Sequence, residues 1–181
     1  AALWAAAAFV DVKGPHRIEG SEHESQHVAL AAYWDNAQRA PRFEEDEDVI
    51  DVTDLIDQSL EVVTGSISGS NHADGVAMLE SLRKLDESSF VELIGGVTVR
   101  KSDQFVNALY QRSCCVVGYN TEHQSITLSF AEPCGLSAAD LLVDFFGPEA
   151  GGHAGIGGSP RNVKYSEAEA QQFAEFVASK L

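Results

Sequence analysis

The feature of this chain that most restricts its backbone is a glycine-dense segment, residues 151–162, with the sequence GGHAGIGGSPRN. Five of these twelve residues are glycine. Glycine loses more conformational freedom on folding than any other residue, so this density indicates a tight turn or a close approach of the backbone to a ligand. The segment also contains His153, Ser159 and Arg161, whose side chains are donors suited to phosphate oxygens. We therefore predict an anion-binding loop here.

An amphipathic helix is predicted immediately before this loop, over residues 137–147. Ser137 occupies the N-cap position, and Asp140 three residues later forms an imperfect capping box. Gly147 and Pro148 indicate where the helix ends, which leaves a second interpretation open: the glycines form a structural turn after a helix C-terminus. The combination of five glycines with a histidine and an arginine favours a ligand site.

The residues around this loop resemble a known family. The segment LSAADLLVDFFGPEAGGHAGIGG, which begins at Leu136, resembles the C-terminal DHH-associated domain of the DHH phosphoesterases. That superfamily includes exopolyphosphatases, oligoribonucleases, cyclic-dinucleotide phosphodiesterases and RecJ-like exonucleases. In it, a short helix leads into a GGH-type loop that contacts substrate phosphate beside a two-metal site on the N-terminal domain. The resemblance covers residues 113–162 and implies that Gly151, Gly152 and His153 bind phosphate.

The resemblance is incomplete on the strand before the helix. Family members often carry an Arg-Ser pair there, whereas residues 125–130 contain no arginine. Ser129 is the residue that can keep part of that role, so we include it among the substrate-binding candidates. Ser159 and Arg161 join this set because of their chemistry alone.

The metal-binding half of such an enzyme is not encoded in this chain. No D-H-H triplet occurs, and the tetrapeptide HADG at residues 72–75 has a single aspartate where the family motif has two. We interpret it as a helix start capped by Ser70 or Asn71. The resemblance then implies a separate N-terminal DHH domain in cis that carries Mn²⁺ or Mg²⁺. We expect no metal ligand and no catalytic residue in this chain.

The predicted fold is α/β, a mixed β-sheet with flanking helices preceded by a mainly helical N-terminal segment. The GSISGS run at residues 65–70 marks the boundary. Residues 65–181 are assigned to the DHH-associated substrate-binding domain. Residues 1–64 are either the tail of the missing catalytic domain or an accessory insertion.

Hydrophobic periodicity and cap residues predict the following elements. Helices are predicted at residues 1–12, 20–39, 49–63, 72–85, 103–111 and 137–147 and after Ser166, and strands at residues 90–99, 114–120, 125–131 and 162–165.

The charge and cysteine content of the chain limit the classes of partner that we expect it to bind. The net charge of −16 argues against broad nucleic-acid binding, which depends on clustered Lys and Arg. The expected ligand is therefore a phosphate-containing small molecule or a short oligonucleotide. The chain could also form a homodimer. Three cysteines make a poor disulfide framework and indicate reduced thiols in a cytoplasmic protein. No run approaches the roughly twenty apolar residues of a membrane span, so no membrane association is expected.

The sequence therefore favours a substrate-binding domain of a metal-dependent phosphoesterase that is not catalytic by itself. Two alternatives remain: a stand-alone phosphate- or nucleotide-binding regulatory module, and a structural or interaction domain. A stand-alone cysteine enzyme or metalloenzyme is a weaker alternative. The former would need His123 or His153 as a base beside a cysteine, and the latter rests on His23 and His27, which have the spacing of one helix face. For those two histidines a solvated polar face is the preferred interpretation.

Overall fold

The described residues of the N-terminal half are mainly helical. In the computed structural model, which describes residues 1–39, 53–104 and 110–181, the chain divides into two compact units, residues 1–83 and 84–181. The helices of the first part are α1 (Ala2–Lys13), α2 (His27–Arg39), α3 (Thr53–Ser68) and α4 (His72–Ser89). None of the helices in the described residues is long and apolar enough to span a membrane.

The N-terminal unit has its own small core. Its buried residues are Ala6, Ile18 and Leu30, with Leu3, Ala7, Val10 and Trp34 packed around them. Helix α4 begins at His72, as the capping interpretation of the HADG tetrapeptide predicts. Gly75 in that tetrapeptide has a packing role, because a Cβ there would lie 2.1 Å from the carbonyl oxygen of Val28 in α2.

Two predicted helices of this part have different bounds. The predicted helix at 20–39 begins only at His27, because Gly20 has a positive φ of 75° and the chain before α2 forms a short 3₁₀ turn, Glu24–Gln26. The predicted helix at 49–63 is observed over Thr53–Ser68, and residues 49–52 lie outside the described residues. The GSISGS run is therefore partly helical, and Gly69, with φ 78°, follows the helix end.

The C-terminal unit is built on a six-stranded mixed sheet, which confirms the predicted fold class. Its strands are β1 (Phe90–Ile94), β2 (Val97–Ser102), β3 (Cys115–Asn120), β4 (Ser125–Phe130), β5 (Gly151–Gly152) and β6 (Ile156–Gly158). Their spatial order is β1-β2-β3-β4-β6-β5, in which only β2 and β3 are parallel. This unit begins at Lys84, so the assignment of residues 65–181 to one domain stays a prediction.

Helices α5 (Ala138–Phe146) and α6 (Glu167–Ala178) cover one face of this sheet. Alternate residues of the strands project toward them, including Val99, Val117 and Leu128, and form the main core. Phe145 and Phe173 join the helices through ring contacts at 5.1 Å. Both predicted helix starts are confirmed, with side-chain caps at Ser137 and Ser166.

Two strand predictions were wrong. The run at 90–99 is two strands, because Gly95 and Gly96 adopt positive φ values of 53° and 90° and turn the chain between β1 and β2. Residues 162–165 do not form a strand. The glycine segment instead forms two strands that were not predicted, β5 and β6. They pair through backbone hydrogen bonds, and the low strand propensity of glycine gives no sign of them in the sequence. For the predicted helix at 103–111, residues 105–109 lie outside the described residues.

We expect the three thiols to differ in reactivity. Cys115 is fully buried, and burial, followed by the nearby Cys114 and Cys134, raises the pKa of its thiol to about 12. Cys114 and Cys134 are exposed and free. A thiol reagent at pH 8 should label two cysteines of the native protein quickly and the third only in denaturant. The Cys114→Ser, Cys134→Ser double variant should show no fast labelling, and three fast thiols in the native chain would contradict the fold.

Candidate functional site

The predicted anion loop is a β-hairpin at one edge of the sheet. This glycine hairpin, residues 151–158, is closed by the amide of His153, which donates to the carbonyl oxygen of Ile156 at 2.7 Å. Its second strand pairs with β4, with Ile156 opposite Ser129 and Gly158 opposite Thr127. The hairpin is thus part of the sheet, and its position depends on backbone hydrogen bonds to β4.

Two glycines of the hairpin are required by the fold. Gly152 has a φ of 151°, and a Cβ on it would lie 2.4 Å from the Cα of Gly157. A Cβ on Gly157 would lie 2.6 Å from Leu142 of α5 and 2.7 Å from the carbonyl oxygen of Gly151. The two strands and the helix therefore approach too closely for any larger residue at either position.

Gly151 has neither of these reasons to be glycine. Its φ lies outside the left-handed region, and among the described residues a Cβ on it would meet nothing within 4 Å. Such a Cβ would point to the sheet face opposite the helices, because Gly151 pairs with Gly158, Gly158 pairs with Thr127, and paired residues project from the same face. The half-buried Gly151 therefore borders open space into which a ligand can approach the backbone.

The hairpin also presents a backbone donor at the sheet edge. Residue pairs in an antiparallel ladder alternate between those that exchange hydrogen bonds and those whose amides point away from the partner strand. His153 is bonded to Ile156, so the neighbouring pair of Gly152 and Gly157 is of the second type. The Gly152 N–H therefore faces the outer edge of the sheet, beside the exposed His153.

The N-terminus of helix α5 lies against the tip of the hairpin. The amide of Ala138, the first residue of α5, donates to the carbonyl oxygen of Ala154 at 2.8 Å. A helix N-terminus carries a partial positive charge that stabilises a nearby anion. The helix that follows the hairpin begins only at Glu167, so the dipole available to this site comes from the preceding helix.

The six predicted substrate-binding residues lie near the two ends of β6. Ser129 pairs with Ile156, whose carbonyl oxygen accepts the His153 amide at the tip of the hairpin. Gly151 pairs with Gly158 at the other end of β6, which Ser159 and Arg161 follow, and Gly152 lies between the two ends. Three residues of extended chain, about 10 Å, separate Ile156 from Ser159. Ser159 is 8% exposed, and its hydroxyl oxygen accepts a hydrogen bond from the Ile126 amide at 3.0 Å, while Arg161 is exposed.

Ser129 belongs to a polar face of the sheet that the sequence analysis missed. This polar face is the one opposite α5 and α6, and its polar side chains, which lie beside the apolar Val116, are Thr98, Arg100, Ser102, Asn120, Ser125, Thr127 and Ser129. Residues 110–113, just before β3, lie on it, because Tyr110 hydrogen-bonds to the Ser129 side chain and Ser113 bonds to Thr98 at 2.8 Å. The alternation of Ser125, Thr127 and Ser129 with apolar residues was the available signal.

Arg100 is the charged residue of the polar face, and it is 4% exposed. Burial lowers the pKa of its guanidinium, whereas the nearby Asp86 carboxylate and Tyr110 raise it. Burial likewise raises the pKa of Tyr110, while its hydrogen bond to Ser129 lowers it. Both groups are thus shielded from solvent on the polar face.

The histidine pair of the metalloenzyme alternative is not on one helix face. His23 precedes α2 and contacts the Phe9 ring at 5.1 Å between ring centroids, whereas His27 is the first residue of α2. Across residues 1–39, 53–104 and 110–181, no three His, Cys, Asp or Glu side chains are grouped as a metal site requires.

Comparisons with known proteins concern the fold. No family model matches the chain, and no curated protein matches it in sequence. The solved structures similar to it include the pGpG-specific phosphodiesterase PggH of Vibrio cholerae, with a TM-score of 0.50 and 10% identity over 95% of this chain and 66% of that one. An exopolyphosphatase-related protein of Bacteroides fragilis has a TM-score of 0.39 and 14% identity over 71% of this chain and 43% of its own. The chain thus spans less than two thirds of either neighbour.

Two substitutions should show which glycines of the hairpin the fold requires. Gly152→Ala should destabilise the protein by roughly 1–3 kcal/mol, because the added methyl meets backbone atoms at a strained φ. Gly151→Ala should leave stability unchanged or raise it by about 0.4–1 kcal/mol, since it only restricts the unfolded chain. Urea unfolding followed by circular dichroism measures both, and equal losses would contradict the open space above Gly151.

Proposed function

We propose that the C-terminal unit is the phosphate-holding part of a metal-dependent phosphoesterase of the DHH type, with Gly151, Gly152 and His153 as the phosphate-binding residues. The observation that carries this proposal is Gly151. Its glycine is unexplained by packing or by backbone conformation, and it borders open space beside a free edge of the sheet. Space of this kind over a glycine backbone suits a ligand group that must approach the chain closely.

Two kinds of donor lie near that space: the Gly152 amide, which faces the sheet edge, and the exposed His153 side chain at the tip of the hairpin. The N-terminus of α5 abuts Ala154 at the same tip, from the face of the sheet opposite Gly151. Together they form an anion site, since oriented amides and a helix N-terminus favour negative charge. In the proposed reaction these groups hold a phosphate that is not attacked and so orient the substrate, which is a positioning role. Arg161 and Ser129 remain proposed contributors.

The proposed substrate is a short 5′-phosphorylated oligonucleotide. PggH, the neighbour with a TM-score of 0.50, acts on pGpG, and we extend that substrate class to this chain as part of the proposal. A net charge of −16 is compatible with a ligand that carries few phosphates and disfavours long polyanions.

The proposal assigns hydrolysis to another domain. Mn²⁺ or Mg²⁺ bound there would supply an activated water and stabilise charge on the attacked phosphate. The hairpin contains one imidazole and no carboxylate or thiolate side chain, so the proposal assigns it substrate binding and not the metals. The reading frame upstream of Ala1 is the direct test: a D-H-H triplet supports a catalytic partner in cis, and its absence restricts the proposal to binding.

His153→Ala should weaken binding of pGpG roughly tenfold or more, because a hydrogen bond to a charged group contributes about 1.5–3 kcal/mol. Isothermal titration calorimetry measures the affinity. Gly151→Ala should weaken it as well, since the methyl fills the ligand space.

Two control variants are matched to these changes. Gly155→Ala adds a methyl elsewhere in the same hairpin, where it would also meet nothing within 4 Å, and His72→Ala removes an exposed imidazole from α4. Both should keep the affinity of the unaltered protein. If His153→Ala and Gly151→Ala bind pGpG as tightly as these controls, the hairpin is not the phosphate site.

The chain alone should not hydrolyse pGpG or polyphosphate in the presence of Mn²⁺, because the proposed catalytic residues lie elsewhere. Chromatographic detection of released nucleotide or phosphate measures this. Turnover that a chelator abolishes and that persists through repeated purification would overturn the assignment of catalysis to another domain.

A further inference from the structure

The negative charge of this chain is concentrated in its N-terminal unit. Residues 1–83 contain sixteen Asp and Glu against five Lys and Arg, a net charge of −11 at pH 7 with neutral His. Residues 84–181 contain twelve against seven, a net charge of −5. The shorter unit thus carries more than twice the net charge of the longer one. The two units therefore differ in the electrostatic repulsion that each must overcome on folding.

The carboxylates of the N-terminal unit face solvent. Among its described residues, eight Asp or Glu side chains are exposed, against three Lys or Arg. Asp57 and Glu61 are two of the exposed carboxylates, and they lie four residues apart on α3, where like charges repel each other. The exposed carboxylates occur in α1, α3 and α4 and in the chain before α2, so the repulsion is distributed over the unit.

Folding brings these charges closer together. A compact chain of 83 residues has a radius of gyration of about 12 Å, whereas the same chain unfolded has one of about 28 Å. The repulsion between two charges rises as the distance between them falls. The carboxylates therefore repel one another more strongly in the folded unit than in the unfolded chain, and this difference lowers the free energy of unfolding.

Dissolved ions determine how far this repulsion reaches. At about 0.01 M salt the Debye length is about 30 Å, which is comparable with the width of the whole compact unit. At about 1 M salt it is about 3 Å, which is shorter than the roughly 6 Å between the Cβ atoms of helix neighbours such as Asp57 and Glu61. Charges throughout the unit therefore repel one another at low salt, whereas even adjacent charges are largely screened at high salt.

We infer that the N-terminal unit is a salt-dependent fold, which reaches its full stability only where dissolved cations screen its carboxylates. At low ionic strength it unfolds before the C-terminal unit does. The ion atmosphere around the exposed charges supplies the screening, so no bound metal is needed. This inference is independent of the proposed function of the hairpin, which belongs to the other unit. It makes the N-terminal unit a conformational element whose folded fraction follows the ionic strength of the solution.

The two units carry separate probes of unfolding. Trp4 and Trp34 are the two tryptophans of the chain, and both lie in the N-terminal unit, where Trp34 packs against the core. The fully buried Cys115 lies in the C-terminal unit, and its thiol becomes accessible on unfolding. In the Cys114→Ser, Cys134→Ser background, tryptophan fluorescence and thiol labelling therefore report the two units in the same urea titration. Urea is uncharged, so it leaves the ionic strength unchanged.

Raising NaCl from about 0.01 M to about 1 M should increase the urea midpoint of the tryptophan transition by roughly 0.5–1 M. The midpoint of Cys115 labelling should shift by less, because the C-terminal unit carries less net charge. At the lower salt concentration the tryptophan transition should precede the labelling of Cys115. A tryptophan midpoint that does not change with salt, or one that coincides with Cys115 labelling at low salt, would overturn the inference.

Matched charge variants separate screening from the general strengthening of hydrophobic burial by salt. One triple variant removes three exposed carboxylates of the N-terminal unit, and the other removes three of the C-terminal unit: Asp57→Asn, Glu61→Gln and Glu80→Gln, and Asp144→Asn, Glu149→Gln and Glu175→Gln. The first should raise the tryptophan midpoint at low salt and reduce its dependence on NaCl, and the second should leave both unchanged. If both variants keep the full salt dependence, repulsion between carboxylates is not its cause and the inference fails.

Discussion

The pairing of β6 with β4 is the interaction on which the candidate site depends. Three residue pairs join the strands, and two further backbone bonds extend the ladder, from Phe130 to Gly155 and from Ser159 to Ile126, each 2.8 Å long. The pairing sets Gly158 opposite Thr127, which fixes the position of the hairpin along β4. The hydroxyl of Ser159 accepts the amide of Ile126 at the ladder's end. Ser159, which was predicted to bind phosphate, thus helps to hold β6 against β4.

Glycine has two roles in this hairpin. Gly152 and Gly157 allow two strands and α5 to pack within distances that a Cβ would prevent, so they are needed to build the hairpin. Gly151 and Gly158 lie on the other face, where the fold accepts a larger residue, so their small size has no structural reason. Gly152 separates the two roles along β5, because successive residues of a strand project to opposite faces. In a glycine-rich strand, a position that the fold requires can therefore be adjacent to a candidate binding position.

Much of the C-terminal fold was predictable, because hydrophobic alternation marks β3 and β4 and because Ser137 and Ser166 mark helix starts. The glycine strands were not, since their pairing depends on backbone groups that leave no side-chain pattern. The hairpin candidates Gly151, Gly152 and His153 were found from local composition and resemblance. Arg100 was missed for a different reason: it is twenty-seven residues before Thr127 in the chain, and the parallel pairing of β2 with β3 is what brings it onto the same face of the sheet, two strands from Thr127.

The net charge bears on which ligands the proposed anion site could accept. With a net charge of −16, the surface repels anions at long range, but exposed charges are screened within about 10 Å at ordinary ionic strength. Arg100, which is 4% exposed, is a buried positive charge and is screened much less than the charges of the surface. The nearby Asp86 carboxylate offsets part of this positive charge and helps to keep the buried arginine charged. For the proposed site, long-range repulsion by the acidic surface disfavours long polyanions, which must also contact that surface, more than it disfavours small ligands.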